Sequence, residues 1–81
     1  MRHTTIYRVI HYHADGAWHV EEDGQSIGEF ATRDAAVHEA QLRGRAQEQH
    51  GSSAQLLIHR KDGPVQLEYA YGPEPSRRRL G

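Results

Sequence analysis

β-Branched and aromatic residues crowd the stretch from Thr4 to Tyr12, a composition that favours a pleated strand. Ala14-Asp15-Gly16-Ala17 follows with the chemistry of a tight two-residue reversal, so the chain is expected to return as a hairpin through Ala17 to Glu22. Closed on Asp15-Gly16, that hairpin pairs His13 with Trp18, Tyr12 with His19, His11 with Val20 and Val9 with Glu22. Side chains alternate along a strand. The register therefore sorts Tyr7, Val9, His11, His13, Trp18 and Val20 onto one face, and Ile6, Arg8, Ile10, Tyr12, Ala17, His19 and Glu21 onto the other. The Trp18 face is the expected core, because Trp18 and Val20 are the only large apolar residues of the second strand. Asp23-Gly24 marks a further turn, and Gln25 to Phe30 reads as a short third strand.

The period then changes from two to about 3.6. Thr32 has the hydroxyl of a helix N-cap and Asp34 places a negative charge in the first turn, so a helix is expected from about Arg33 to His50, with Gly51 as its left-handed stop. Ala36, Val37, Ala40 and Gly44 form one stripe; Ala35, Leu42 and Ala46 form another on the far side. The first stripe is assigned to the sheet, since its small residues allow close approach to strands bearing Trp18 and Phe30. Gly44 costs the helix roughly 1 kcal/mol relative to Ala, which close packing there would offset.

Ala54 to Arg60 and Val65 to Ala70 are again strand-like, and Lys61-Asp62-Gly63-Pro64 between them predicts a second hairpin. It groups Leu56, Ile58, Val65, Leu67 and Tyr69 on one face and Leu57, His59, Gln66 and Glu68 on the other. The expected core is Trp18, Val20, Phe30, Val37, Ile58 and Leu67. The fold class is α+β: an antiparallel sheet of two β-hairpins, with a short third strand after the first and one helix packed on one face, in ββ(β)αββ order. Residues 1–71 form the expected single domain. Residues 72–81, with Arg77-Arg78-Arg79, have no periodicity and are expected to be a flexible tail.

Tyr7-Arg8-Val9-Ile10 followed by Trp18-His19-Val20, then Phe30-Ala31-Thr32 entering a helix with Ala36, Val37 and Ala40, then Leu57-Ile58-His59 and Asp62-Gly63, are in an order and spacing similar to a small bacterial family. That family is a domain of unknown function, number two-one-eight-eight. The resemblance spans about residues 7 to 69. It implies a compact hairpin-helix-hairpin module and a bacterial host, with no biochemical activity to carry over. Arg43 and Gly44 depart from the family pattern, standing where an apolar residue and Ala are expected.

Composition narrows the chemistry. Hydrophobic residues are 36% of 81, with one Trp and one Phe, so the core is thin and a large buried active site is not expected. Cys is absent, which removes disulfides, thiol catalysis and Cys-bearing zinc sites. Secretory and membrane-spanning patterns are also lacking, and a cytoplasmic location is expected. Serines 26, 52, 53 and 76 fall in expected turns or the tail, and no Gly-rich phosphate loop precedes the helix; the protein is read as a non-enzyme without a cofactor. Of seven His, only His11 and His13 share a face by local spacing, and Glu22 is the nearest carboxylate. That pair suits imidazole-liganded metals, but an exposed or half-packed hairpin face is the favoured account of it, and no metal site is assigned.

Two partner classes remain. A single helix covers only one side of the sheet, so Ile6, Ile10, Tyr12 and Leu57 are the expected interface on the uncovered side, and a homodimer or a protein partner the expected assembly. The Ala35/Leu42/Ala46 stripe is a second apolar remainder. The alternative is nucleic-acid binding through Arg8, Tyr12, Arg60, Lys61, Arg77, Arg78 and Arg79. A net charge of -1, with 10 Lys+Arg against 11 Asp+Glu, weighs against it.

Overall fold

The computed structural model describes residues 3–73. Its elements are β1 (Thr4–Tyr12), β2 (Ala17–Glu22), β3 (Gln25–Phe30), α1 (Arg33–Gln49), β4 (Ser53–His59) and β5 (Val65–Tyr71). They form one five-stranded sheet in the order β3-β2-β1-β4-β5, with α1 across one face.

The sheet is mixed, not purely antiparallel. β1 and β4 run parallel, while the other three pairings are antiparallel. The helix explains this. At about 1.5 Å per residue its 17 residues span roughly 25 Å, about the length of a seven-residue strand. The chain leaving β3 is thus carried back to the starting end of the sheet, and the next strand must run in the same direction as β3 and β1. β4 takes the free edge of β1, which makes β1 the central strand.

The first hairpin is also corrected in register. Tyr12 pairs with Ala17, His11 with Trp18 and Val9 with Val20, leaving a four-residue connection instead of a two-residue one. Within it the Gly16 N–H donates to the Tyr12 carbonyl at 2.9 Å, and Asp15 Oδ1 accepts from the Ala17 N–H at 2.9 Å. The slip is two residues, so every side chain keeps its expected face.

Thr32 caps α1 by accepting the Ala35 N–H at 3.1 Å, and Ala36, Ala40 and Gly44 are the residues it buries. Beneath them lie Tyr7, Val9, Val20, Ala54, Leu56 and Ile58, all at most 2% exposed. Trp18, Ile27, Phe30, Val37 and Tyr71 pack around this centre, half-buried. Leu67, expected in the core, is 45% exposed on outermost β5. Val65 is likewise exposed, and a bulge between Ile58 and His59 pairs it with His59 instead of leaving it in step with Leu67. Gly44 meets the ring of Tyr71 rather than Trp18 or Phe30: a Cβ there would fall 2.5 Å from that ring.

Candidate functional site on the open sheet face

The face without the helix is built in rows by the strand register. Ile10 lies opposite His19, which lies opposite Glu29; Arg8 lies opposite Glu21 on one side and Leu57 on the other; Glu21 lies opposite Ser26. A bulge between Val20 and Glu21 brings Ser26 to this position.

His19 is the centre of the larger cluster. Although no helix covers it, it is 4% exposed. The Tyr12 ring stacks on its imidazole, with centroids 3.7 Å apart and planes 14° from parallel. Nε2 lies 2.8 Å from Asp15 Oδ2, and Nδ1 lies 2.7 Å from Ser26 Oγ. A carboxylate only accepts, so Nε2–H donates to Asp15 and the Ser26 hydroxyl donates to Nδ1. Asp15 is held below the usual carboxylate range, first by the Ala17 N–H and then by His19. Glu29 completes the group: one ligand atom from each of Asp15, His19 and Glu29 lies within 4.8 Å of the others.

Tyr12 is tied further by its hydroxyl, which donates to Glu21 Oε2 at 2.5 Å. That bond, with burial and the charges of Glu21 and Asp15 behind it, pushes the phenol up to about 12. A second, separate cluster holds His59. Arginine only donates, so Arg8 donates to His59 Nε2 at 3.0 Å, while Nδ1–H donates to the Gly63 carbonyl at 2.6 Å. β1 separates the two imidazoles, and they do not meet.

The expected interface residues Ile6, Ile10, Tyr12 and Leu57 all lie on this face, half-buried. The register sets Leu57 beside Arg8, between Ile6 and Ile10; Tyr12 is turned into the His19 cluster. Of the nucleic-acid candidates, Arg8 is engaged by His59, Arg60 pairs with Asp62 at 3.2 Å, Lys61 is exposed, and Arg77, Arg78 and Arg79 lie outside the described residues, as does the expected tail from 74 onward. His11 and His13 have ring centroids 5.2 Å apart beside Trp18, and His11 Nδ1 is buried without a hydrogen-bond partner. Among the described residues no third His, Asp or Glu joins them, and Glu22 pairs with Tyr7, four residues along β1 from His11. The Ala35/Leu42/Ala46 stripe faces away from the sheet, exposed.

Sequence reading missed the Asp15/His19/Glu29 group. The four-residue spacing of Asp15 and His19 across the turn was a usable signal. The pairing of His19 with Glu29 needs the β2–β3 register, which the bulge conceals.

A family model described as an uncharacterized protein conserved in bacteria, DUF2188, matches residues 7–71. The chain belongs to the DUF2188 family. Those residues include all of the sheet and helix except the first residues of β1, and both open-face clusters. No curated protein and no solved structure matches the chain. Among the described residues no helix is long and apolar enough to cross a membrane.

Proposed function

We propose that this DUF2188 chain is a small non-catalytic interaction module of the bacterial cytoplasm that pairs with a second copy of itself. The observation that carries the reading is the β5 edge. Val65, Leu67 and Tyr69 are 41%, 45% and 42% exposed, and every β5 residue before Tyr71 is exposed. A strand edge is a row of unpaired N–H and C=O groups, and proteins normally blunt it with Lys, Pro or a bulge. Val65–Tyr71 contains no Lys and no Pro, and its bulge lies at the first residues, so Leu67 to Tyr71 run regularly. β3, at the other edge, is interrupted by a bulge within the strand, opposite Val20 and Glu21, whereas the β5 bulge lies at that strand's start.

The sequence of β5 favours a second copy running antiparallel to it. Centred on Leu67, self-pairing sets Val65 against Tyr69 and Gln66 against Glu68, with no like charges opposed. Centred on Glu68 it would oppose two carboxylates, which is unfavourable. The open-face residues Ile6, Ile10, Tyr12 and Leu57 are the competing surface. They are interleaved with Arg8, His19, Glu21 and His59, all already bonded to one another or to neighbouring groups.

Sedimentation velocity of the full chain over a wide concentration range is the test. A dimer is expected for the wild type and for Leu57→Glu, and a folded monomer by circular dichroism for Leu67→Lys. A monomeric wild type overturns the proposal, and dissociation by Leu57→Glu but not Leu67→Lys moves the interface to the open face. Nucleic-acid binding has less support, since Arg8 and Tyr12 are both committed within the fold and Glu21 and Glu29 share their face.

A further inference from the structure

We propose that Asp15, His19 and Glu29 form a binding site for a divalent transition-metal ion of the zinc class. The three come from different parts of the fold. Asp15 lies in the β1–β2 connection, His19 on β2, and Glu29 on β3 directly opposite His19. One imidazole nitrogen and two carboxylate oxygens already converge within 4.8 Å. Donors bound to zinc at about 2.0–2.2 Å sit roughly 3.5 Å apart, so the 2.8 Å contact between His19 Nε2 and Asp15 Oδ2 opens slightly to admit the ion, and Glu29 needs only a small adjustment. Glu29 is exposed and can make that adjustment, Asp15 is exposed but tied through Oδ1 to the Ala17 N–H, and His19 is fixed.

What separates this group from ordinary surface acids is the support behind the imidazole. His19 has 5% of its side chain exposed, is stacked against Tyr12, and is held at Nδ1 by Ser26, with Nε2 directed at the Asp15 carboxylate. A ligating histidine characteristically has its second ring nitrogen hydrogen-bonded in this way, which fixes the ring and raises its basicity. The serine hydroxyl serves both states. Without metal it donates to Nδ1; with metal on Nε2 the ring proton moves to Nδ1 and the hydroxyl accepts it, and the proton formerly on Nε2 is thereby retained. The mixed nitrogen and oxygen set suits zinc and its neighbours better than calcium or magnesium, which favour oxygen alone.

The site is on the β3 side of the sheet, away from the β5 edge, so its test is independent of self-association. Isothermal titration of the full chain with zinc, and the visible absorption of its cobalt(II) complex, provide the readout. A 1:1 complex is expected. Asp15→Asn and Glu29→Gln, both at exposed positions, are expected to weaken it at least tenfold, and Ser26→Ala about 10–100-fold by releasing the ring. Circular dichroism confirms that each variant is folded, and a His11→Ala/His13→Ala double variant retains the affinity. The proposal is overturned by the lack of a 1:1 complex, by binding that Asp15→Asn and Glu29→Gln leave unchanged, or by loss of binding in the His11/His13 variant.

Discussion

Gly44 shows how one atom decides between a local and a tertiary preference. In isolation Gly44→Ala favours the helix by roughly 1 kcal/mol. In the fold the added Cβ meets three Tyr71 ring atoms at 2.5–3.0 Å, and forcing extra volume into a packed contact costs about 1–3 kcal/mol. The expected result is net destabilisation by Gly44→Ala in the wild type and net stabilisation in a Tyr71→Ala background. A double-mutant cycle by urea denaturation reads this change of sign, and equal effects in both backgrounds would refute the contact. The glycine was legible in the sequence as a close approach, but its partner was not. Tyr71 reaches α1 because the β4–β5 hairpin docks through β4 on the free edge of β1, a placement that no local pattern encodes.

Among the elements, the β2–β3 turn is pinned to β1 by one carboxylate. Asp23 donates its N–H to the Ile6 carbonyl at 2.8 Å and accepts the Ile6 N–H on Oδ1 at 2.9 Å, while His3 Nε2 lies 2.9 Å from Oδ2. The Ile6 amide first, and His3 second, hold Asp23 below its ordinary value of 3.8. A carboxyl depressed in the folded state adds stability above its unfolded value, and that stability is lost as pH falls through the folded one. Asp23→Asn keeps an acceptor for Ile6 and removes the charge. It is expected to be less stable than the wild type at neutral pH, with the gap closing progressively below pH 3.8 in denaturation curves; a gap independent of pH would assign the effect to geometry alone. This turn, the helix with its Thr32 cap and the faces of β1 and β2 were all readable, because each rests on local chemistry or on the alternation of side chains. The hairpin register slipped by two without moving a residue to the wrong face. The sheet was expected to be antiparallel throughout, and the parallel pairing of β1 with β4 corrects that, although the helix length required the reversal of direction.

For the whole molecule, the decisive feature is a single layer of core beneath one helix. A domain of this size rarely has more than about 3–5 kcal/mol in reserve. Leu56 is fully buried at the centre, paired with Tyr7 on β1 and Tyr69 on β5, whereas Leu67, two residues before Tyr69 on β5, is 45% exposed. Truncating a buried leucine costs about 2–5 kcal/mol, comparable to the whole reserve, while substitutions at exposed positions usually fall within about 0.5 kcal/mol. Leu56→Ala is therefore expected to abolish or greatly broaden the cooperative thermal transition at low protein concentration, and Leu67→Ala to leave it nearly intact. Raising the concentration separates burial within one chain from burial between two: association stabilises only the folded form, so the wild-type midpoint climbs with concentration if β5 edges pair. With Leu67→Ala the same climb is expected to be smaller, because the proposed pairing sets that side chain against its counterpart in the second copy. A Leu67→Ala variant as unstable as Leu56→Ala at every concentration would mean that β5 belongs to the monomer's core, and the exposed edge on which self-pairing rests would be lost.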